Sequence, residues 1–442
     1  MNVAELKAGF ARIDITPPLG VTMAGYPEVR HADGILDPLL ATAVAFDNGE
    51  SRAVILSLDL VGMNMALMAQ LRSQIAAAAG TNMEGVFIHC THTHTGPSVA
   101  ADTASLETAN QEYMVHLKKK LQDVAVLAVQ DLKPAKMFYT HGQVKDVAFV
   151  RRFLLKNGKY RTNPGFQCPD VERAMGEPDE RSSLVIIKRE NAPEIGIVHF
   201  QVHPDVIGGT KLSADYPKFV RDTYELLVDN SRCMYINGAQ GDTNHVDIRL
   251  GEDACRGGYE RSRYMGRKIA MSVVANYALA KPLDGSQISY AQKSILVKYN
   301  KGRPEQMEDA LYTMKVFEEK GREAALPRNT GVKNIRSFWE ARRILSLVNY
   351  PDEKELLVTS LRIGQVAFAG FPGEPFTDIG RAVKANSKFT LTLPVCAANG
   401  YEGYYPMLSV YSEGGYEFNT ARYVAGVAEA LIEASTEIVN AL

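Results

Sequence analysis

Residues 53–90 have the sequence AVILSLDLVGMNMALMAQLRSQIAAAAGTNMEGVFIHC, which predicts two strands with a helix between them. Ala53–Asp59 and Val86–Cys90 are short apolar runs of the kind that form buried strands. Between them, around Asn64–Ala79, apolar side chains recur at intervals of three and four residues, which indicates an amphipathic helix. This order of elements favours an α/β fold.

The same alternation of strand and helix patterns continues through the rest of the chain. Leu184–Lys188 and Ile195–Val202 predict a hairpin, because a polar turn separates two apolar runs. Leu356–Ile363 and Val366–Phe371 predict two further neighbouring strands. Glu417–Leu442 predicts one closing helix.

No repeat, low-complexity linker or clean change of composition divides the chain. We therefore expect a single domain over residues 1–442, built from layered mixed β-sheets flanked by helices. Residues 300–350 are charged and helical in pattern, which indicates a helical insertion or a cap on that domain.

Composition argues against several classes of protein. The 442 residues are 46% hydrophobic and carry a net charge of −2, with no basic patch to bind nucleic acid or an anionic membrane. No run approaches the ~20 apolar residues that span a bilayer, and the N-terminus has no signal-peptide pattern. Five cysteines without a C-x-x-C pair argue against a disulfide framework and a cysteine-built zinc site. We expect a cytoplasmic protein that acts on a small molecule.

Histidines are concentrated just after the strand Val86–Cys90, in FIHCTHTHTGP (residues 87–97). Because alternate side chains of an extended chain point the same way, His92 and His94 are expected to share a face. Two imidazoles placed in this way form one half of a metal site. The alternative is a polar loop in which threonine and histidine side chains simply hydrogen-bond to one another.

Two further candidate ligands also follow predicted strands. In VHFQVHPDV (residues 198–206), His203 is a candidate ligand, whereas His199 is expected to be a core or supporting histidine. In FPGEPFTDIGRAV (residues 371–383), Glu374 stands immediately before a proline, which favours the first helical turn. Glu374 is therefore expected at a helix N-terminus, where the dipole stabilises an ionised carboxylate. The alternative for Glu374 is an ordinary helix cap.

Two glycine-rich segments are candidate walls of a site. Residues 399–417, NGYEGYYPMLSVYSEGGYE, hold five tyrosines in a loop, and such loops often line binding sites or pack at the surface. Residues 237–247, NGAQGDTNHVD, predict tight turns in which Asp242 anchors a neighbouring loop or a ligand. Composition alone does not choose between a structural turn and a site wall here.

The sequence contains no glycine-rich nucleotide motif, no G-x-S-x-G and no HExxH. Instead, an ordered set of segments resembles the neutral, non-lysosomal ceramidase family over nearly the whole chain. The matching segments are GFARIDITPP with AGY at Ala24–Tyr26, LSLDLVG around Asp59, THTHTGP, the segment at His203, the Gly241-Asp242 loop, PGE at Glu374, N-x-Y-x-x-Y at Asn399–Tyr404, and Tyr416-Glu417.

The resemblance implies a ceramidase-like catalytic domain with a Zn²⁺ ion. It places His92, His203, Glu374 and Tyr404 around that ion. Zinc sites more commonly use two histidines and a glutamate alone, and in that case Tyr404 would be weakly bound or only hydrogen-bonded.

The resemblance also implies which residues act beside the metal. His94 and Tyr416 are expected to polarise the substrate or transfer protons. A family arginine that contacts the reacting carbonyl corresponds to either Arg151 or Arg152, and the sequence leaves that choice open.

Other positions are implied to support the site or bind substrate. Asp59 and Asp242 are expected to anchor the surrounding loops. Substrate contacts are expected from Tyr401 and from the segment Thr243, Asn244 and His245. This segment departs from the family pattern, because the family has a serine after its Gly-Asp pair.

A soluble substrate is expected, since neither the immunoglobulin-like C-terminal domain nor the secretion signal of the family is seen in the sequence. The expected function is a zinc-dependent hydrolase in which metal-activated water attacks the carbonyl of an amide (N-acyl) bond. One alternative is hydrolysis of an ester or a carbohydrate-linked group at the same metal site. Another is a non-catalytic protein that binds a metal or a ligand on the same scaffold.

Overall fold

The computed structural model describes residues 5–100 and 103–442, in which strands and helices alternate along the chain. The strands are β1 Lys7–Asp14, β2 Gly34–Ile35, β3 Leu40–Asp47, β4 Arg52–Leu58, β5 Val86–Cys90, β6 Lys133–Gln143, β7 Phe149–Val150, β8 Arg152–Leu155, β9 Tyr160–Thr162, β10 Val171–Ala174, β11 Arg181–Arg189, β12 Glu194–Phe200, β13 Lys211–Leu212, β14 Ser231–Asn237, β15 Thr243–Asn244, β16 Lys281–Leu283, β17 Ile288–Lys298, β18 Glu353–Ile363, β19 Val366–Gly370, β20 Glu374–Pro375, β21 Leu391–Val395 and β22 Tyr404–Tyr405.

The α-helices pack around these strands. They are α1 Met65–Ala79, α2 Thr108–Gln130, α3 Tyr216–Leu227, α4 Glu252–Cys255, α5 Tyr259–Val274, α6 Met307–Ala324, α7 Pro327–Thr330, α8 Phe338–Leu347, α9 Thr377–Ala385, α10 Val410–Glu413, α11 Tyr416–Thr420 and α12 Val427–Ala441. Within the described part of the chain, none of these helices has the length and apolar character needed to cross a membrane.

A nine-stranded mixed sheet forms the larger half of the fold, in the order β14-β12-β11-β6-β1-β3-β4-β5, with β16 beside β6. The predicted strand–helix–strand unit is present: β4 and β5 are parallel, and α1 connects them. β12 and β14 are also parallel, with α3 between them in sequence. The hairpin of β11 and β12 is antiparallel, as the two apolar runs predicted.

A second sheet, β17-β18-β19-β21, packs face to face with the first. Side chains alternate between the two faces of each strand, so Ile55 and Phe87 of the first sheet share a core with Leu361 and Phe368 of the second. The neighbouring Leu56 points the other way, into a core formed with α1 and α2. The result is a layered α/β fold in the order helix, sheet, sheet, helix.

Helices cover the outer faces of both sheets. α3 and α5 pack on the first sheet through a core that includes Val220 and Ile269. α9 and α12 pack on the second sheet through Ile379 and Leu431. Both sheets are therefore enclosed, and the loops at the strand ends are left to build a site.

The prediction of one closing helix over Glu417–Leu442 is wrong. α11 ends at Thr420, Ala421 is extended, and α12 begins only after Gly426, whose φ of 97° lies in the left-handed region. Glycine adopts this conformation without the steric cost that other residues pay. The chain therefore turns between the two helices, which brings α11 to the cavity described below.

Residues 300–350 are helical, as predicted, and α6, α7 and α8 lie within them. Two small cores of their own hold these helices together, one around Ala310 and Ile344 and the other around Val316 and Phe338. α8 reaches the rest of the chain through Trp339, whose ring centroid lies 5.0 Å from that of Tyr416. We call this helical segment the cap.

Gly9 allows α2 to approach β1 closely. A Cβ atom at Gly9 would lie 1.9 Å from the carbonyl oxygen of Ala128, which belongs to the helix backbone. We expect Gly9→Ala to destabilise the protein by about 1–3 kcal/mol, because backbone must move to admit the methyl group. Thermal unfolding of the variant measures this loss. Gly208→Ala is the control, because nothing lies within 4 Å of a Cβ placed there, and equal melting temperatures for the two variants would contradict the prediction.

Candidate metal centre

The histidine loop that follows β5 is held in place by hydrogen bonds from its backbone and its threonines. The amide of His92 donates to the carbonyl of Leu60 at 2.9 Å. The hydroxyl groups of Thr93 and Thr95 donate to the carbonyl of Ser213 at 2.7 and 3.0 Å. His92 has a φ of 77°, a left-handed conformation that is strained for a residue other than glycine. The fixed loop therefore sets the direction of the His92 ring.

Three imidazoles meet at the end of this loop. Nε2 of His94 lies 3.4 Å from Nε2 of His92 and 3.1 Å from Nε2 of His203. Candidate ligand atoms of all three lie within 4.8 Å of one another. β12 ends at Phe200, so His203 enters from a loop, while His199 remains in the core and contacts the carbonyl of Pro394 through Nε2 at 2.7 Å.

The carboxylate of Glu374 completes this cluster. Its Oε2 lies 3.4 Å from Nε2 of His92 and 3.5 Å from Nδ1 of His203. Its Oε1 accepts a hydrogen bond of 2.5 Å from the hydroxyl of Tyr401. Four segments distant in sequence therefore place their side chains around one point.

The prediction that Glu374 lies at a helix N-terminus is wrong. α9 begins at Thr377 with Phe376 as its N-cap, and Glu374 itself lies in β20, paired with Tyr404 of β22. The helix dipole acts within its first turn, so it does not explain the charge on this carboxylate. Burial acts to raise the pKa of Glu374, but His92, His203 and the Tyr401 hydroxyl together hold it well below its usual range.

The facing atoms of the cluster are short of hydrogen-bond partners. Within the described part of the chain, Oε2 of Glu374, Nδ1 of His203 and Nδ1 of His94 are buried without one. Burying unpaired polar atoms is costly, and such groups in native proteins usually pair or bind an ion. Imidazole and carboxylate are ligands that zinc accepts. The residues therefore fit a metal ion.

Burial keeps two of the imidazoles in the neutral form that binds metal. It lowers the pKa of His94 to about 4, and it also lowers the pKa of His203. For His92, burial acts in the same direction, but the adjacent Glu374 carboxylate raises its pKa above the usual value. A neutral imidazole presents a free lone pair to a cation.

Two tyrosines and an arginine lie beside the cluster. The Tyr404 ring is stacked 6.5 Å from that of His203, and its centroid lies 5.6 Å from that of Tyr416. Cζ of Arg151 lies 5.3 Å from the Tyr404 ring and 5.5 Å from the Tyr416 ring. Burial raises the pKa of Tyr416 to about 12, so its hydroxyl keeps its proton at neutral pH and can donate a hydrogen bond.

Arg151 and Arg152 are equally buried but face different partners. Arg151 donates to Oε1 of Glu417 at 2.8 Å and to the carbonyl of Gly241 at 2.9 Å, on the side of the tyrosines. Arg152 donates instead to Oε2 of Glu413 at 2.7 Å. The choice that the sequence left open therefore falls on Arg151 as the arginine near the cluster.

Asp59 and Asp242 fix loops around the site. Asp59 is completely buried and accepts two hydrogen bonds from the Arg221 guanidinium at 2.9 and 2.7 Å. It also accepts from the hydroxyl of Thr91 at 3.3 Å, at the start of the histidine loop. Asp242 accepts from the amide and the hydroxyl of Thr377, just after the Glu374 turn.

A cavity of about 470 Å³ opens above the cluster, within the range typical of small-molecule sites. Its wall combines the cluster with the tyrosine loop, the segment at Tyr26 and the cap. The lining residues are Gly25, Tyr26, Pro27, Val61, His92, His94, Trp339, Arg342, Arg343, Ser346, Tyr350, Glu374, Tyr401, Gly403, Tyr404, Tyr416, Thr420 and Arg422.

Thr243, Asn244 and His245 are not among the residues that line this cavity. Thr243 and Asn244 form β15, which pairs with β7, and the Asn244 amide donates to Oδ1 of Asn163. His245 lies behind the cluster, with Nδ1 3.5 Å from Oδ1 of Asp205. These three residues therefore support the structure around the cluster and lie outside the cavity wall, whereas the sequence predicted that they contact the substrate.

Some residues of the site were missed in the sequence. Asp205 follows His203 by two residues; burial acts to raise its pKa, but His203 and His245 lower it below the usual range. The HPD sequence at residues 203–205 was the available signal. No sequence pattern indicated Trp339 and Arg342 of the cap as site residues, because their position at the cavity depends on how the cap packs over it.

The chain is similar to known proteins both in sequence family and in fold. Residues 6–215 match the family model described as neutral/alkaline non-lysosomal ceramidase, N-terminal. The resemblance to this ceramidase family is confirmed. His92, His94 and His203 fall within the matched region, whereas Glu374 and the tyrosine loop lie beyond it.

Two solved ceramidase structures share the fold. Neutral ceramidase from Pseudomonas aeruginosa is 17% identical with a TM-score of 0.76, and the match covers 100% of this chain and 75% of that one. A ceramidase complexed with C2 is also 17% identical, with a TM-score of 0.72, covering 99% of this chain and 75% of that one. The chain therefore has a ceramidase fold, and the cap and tyrosine loop are included in the superposed length.

The buried pair of Asp59 and Arg221 is expected to be a main support of the histidine loop. Asp59→Ala should lower the free energy of unfolding by about 3–5 kcal/mol, because Arg221 is left buried without its counter-charge. Thermal or urea unfolding measures the loss. Asp222→Ala is the control, because its carboxylate is exposed and, among the residues that the structure describes, pairs only with Lys218. A loss no larger than that of the control would show that the pair is dispensable.

Proposed function

We propose that this chain is a zinc-dependent hydrolase that cleaves an amide (N-acyl) bond in a small, soluble substrate. The observation that supports it is the meeting of His92, His203 and Glu374, with buried atoms left unpaired, at the base of an open cavity. Side chains that are short of partners are expected where a ligand supplies the missing interaction.

His92, His203 and Glu374 would hold the metal, with Tyr404 as a further, weaker contact. Two histidines and a carboxylate are a known catalytic zinc set, which leaves one position free for water or substrate. A bound zinc ion supplies a Lewis acid that polarises a carbonyl and lowers the pKa of water. Tyr401 orients Glu374 through its hydrogen bond to Oε1, as partners of metal-binding carboxylates commonly do.

The remaining residues of the site suit the hydrolysis of an acyl–nitrogen bond. Water adds to the carbonyl carbon, the carbon–nitrogen bond breaks, and a carboxylic acid and an amine are formed. Tyr416, which lines the cavity, would donate a hydrogen bond to the carbonyl oxygen as negative charge develops on it, and Arg151 would add positive charge behind it, with Cζ 5.5 Å from the Tyr416 ring. His94 carries a proton from the attacking water to the leaving nitrogen.

Removal of single side chains separates metal binding from proton transfer. We expect His92→Ala and Glu374→Ala to lose both bound zinc and turnover, because each removes a ligand. We expect His94→Ala to keep zinc but lose turnover by about a hundredfold or more, because proton transfer is lost. Elemental analysis and assays on N-acyl amino acids, N-acetyl sugars and aryl esters measure the two properties.

His116→Ala is the matched control for these variants, because His116 is exposed on α2. It should retain both zinc and activity. Turnover by metal-free His92→Ala protein would reject the metal-dependent scheme. Loss of zinc from His94→Ala would show instead that His94 is a ligand. Cleavage of the aryl esters alone would replace the amide assignment with an ester one.

The two neighbouring arginines allow a second test of the scheme. Arg151→Gln should lower kcat by about a hundredfold, because positive charge beside Tyr416 and the developing oxyanion is lost. Arg152→Gln should leave kcat nearly unchanged, although Arg152 is equally buried and also pairs with a glutamate. Steady-state kinetics on folded, zinc-loaded variants measure the difference. Equal losses of kcat would show that both arginines matter only for stability.

A further inference from the structure

Arginine dominates the charge of the cavity wall. Among the lining residues in the described part of the chain, Glu374 is the only acid, and it faces the imidazole cluster. Three arginines line the same cavity: Arg342, Arg343 and Arg422. A divalent cation at the cluster would add further positive charge. Clefts lined by one sign of charge attract ligands of the opposite sign.

Two of the three arginines are engaged by the protein itself. Arg343 donates to the carbonyl of Asn419 at 3.1 Å and lies 3.6 Å from Oε1 of Glu340. Arg422 lies 3.3 Å from Oε2 of Glu402. Their positive charges are therefore partly neutralised within the fold.

Arg342 differs from both. Among residues 5–100 and 103–442 it has no hydrogen-bond or salt-bridge partner, although its side chain lines the cavity. It extends from α8 of the cap, three residues after Trp339, so the two side chains lie on the same face of the helix. Partial desolvation acts to lower the pKa of Arg342, while Tyr416 and Glu28 act to raise it, which places the guanidinium within electrostatic reach of Tyr416; Glu28 itself is paired with Arg322.

We propose that Arg342 binds a carboxylate of the substrate, so that the substrate class is N-acyl amino acids and similar N-acyl compounds with a free carboxylate. This inference rests on the proposed amide hydrolysis. A guanidinium group matches a carboxylate with two parallel hydrogen bonds, and one unpaired guanidinium balances one singly charged group. The aromatic rings of Tyr26 and Trp339 line the same cavity and suit the apolar part of such a substrate.

The arrangement also explains how an N-acyl amino acid would be oriented. Its carboxylate lies on the same molecule as the scissile amide, a few bonds away. Binding that carboxylate at the cap would direct the amide towards the imidazole cluster, which lines the same cavity. Binding energy from a part of the substrate that does not react thereby positions the part that does.

The test compares an N-acyl amino acid with its carboxamide, which has the same N-acyl bond but no negative charge. Release of the α-amine from both compounds is measured with the full-length, zinc-loaded protein. Calorimetry measures binding of both compounds to the same protein before and after metal removal. The variants are Arg342→Gln and Arg342→Lys, and the control is Arg328→Gln, an exposed cap arginine outside the cavity.

We expect the carboxylate to be preferred over the carboxamide in both binding and kcat/KM, and Arg342→Gln to reduce this preference by about tenfold to a hundredfold. Arg342→Lys should restore part of it, since the charge returns without the fork of hydrogen bonds. Arg328→Gln should preserve it in full. The metal-free protein should show the same dependence on Arg342, because the anchor lies on the cap and not at the metal.

Two results would overturn the inference. One is equal binding of the two compounds by the unaltered protein, and the other is a preference that survives in Arg342→Gln. Failure of the proposed function would give a different combination of results. The carboxylate compound would bind through Arg342 in calorimetry, but no α-amine would be released from it. In that case Arg342 is confirmed as an anion anchor, and the amide assignment falls.

Discussion

A buried carboxylate opposite two buried imidazoles and one half-buried imidazole is the constraint on which this structure depends. Polar atoms cannot be left unpaired in a protein interior without a substantial cost in free energy. Here Oε2 of Glu374 and Nδ1 of His203 are unpaired and lie 3.5 Å apart. A cation bound between them, as proposed above, would satisfy both atoms.

The layers of the fold bring the strand ends together. β5 and β12 of the first sheet and β19 of the second all end shortly before a residue of the cluster. Open α/β sheets commonly bind ligands beyond the carboxyl ends of their strands. Asn237, at the end of β14, donates to the carbonyl of Thr91 at 3.1 Å and ties that strand end to the histidine loop. The loops are thus fixed by the sheets and by side-chain contacts between them.

The sequence predicted the layers well because their signals are local. The apolar runs at Val86–Cys90 and at the β11–β12 hairpin match the observed strands, since burial between layers requires such runs.

Contacts that depend on distant segments were harder to predict. Adjacent residues of an extended chain point in opposite directions, so only the fold could show that Arg151, rather than Arg152, faces the tyrosines. Thr243–His245 was assigned to substrate because a turn beside a site and a turn behind it look alike in sequence. The break at Gly426 likewise interrupts a pattern that is otherwise helical on both sides.

The cap has its own small cores, while the cluster is carried by strand ends. In the proposed function, reaction chemistry and choice of substrate are therefore assigned to separate pieces of the chain. Substitution of a few cap side chains would then change which substrates bind, while the residues of the cluster stay the same. A scaffold divided in this way can diversify through one surface segment. Related chains that share the cluster but have different cap sequences are expected to differ in substrate preference more than in reaction type.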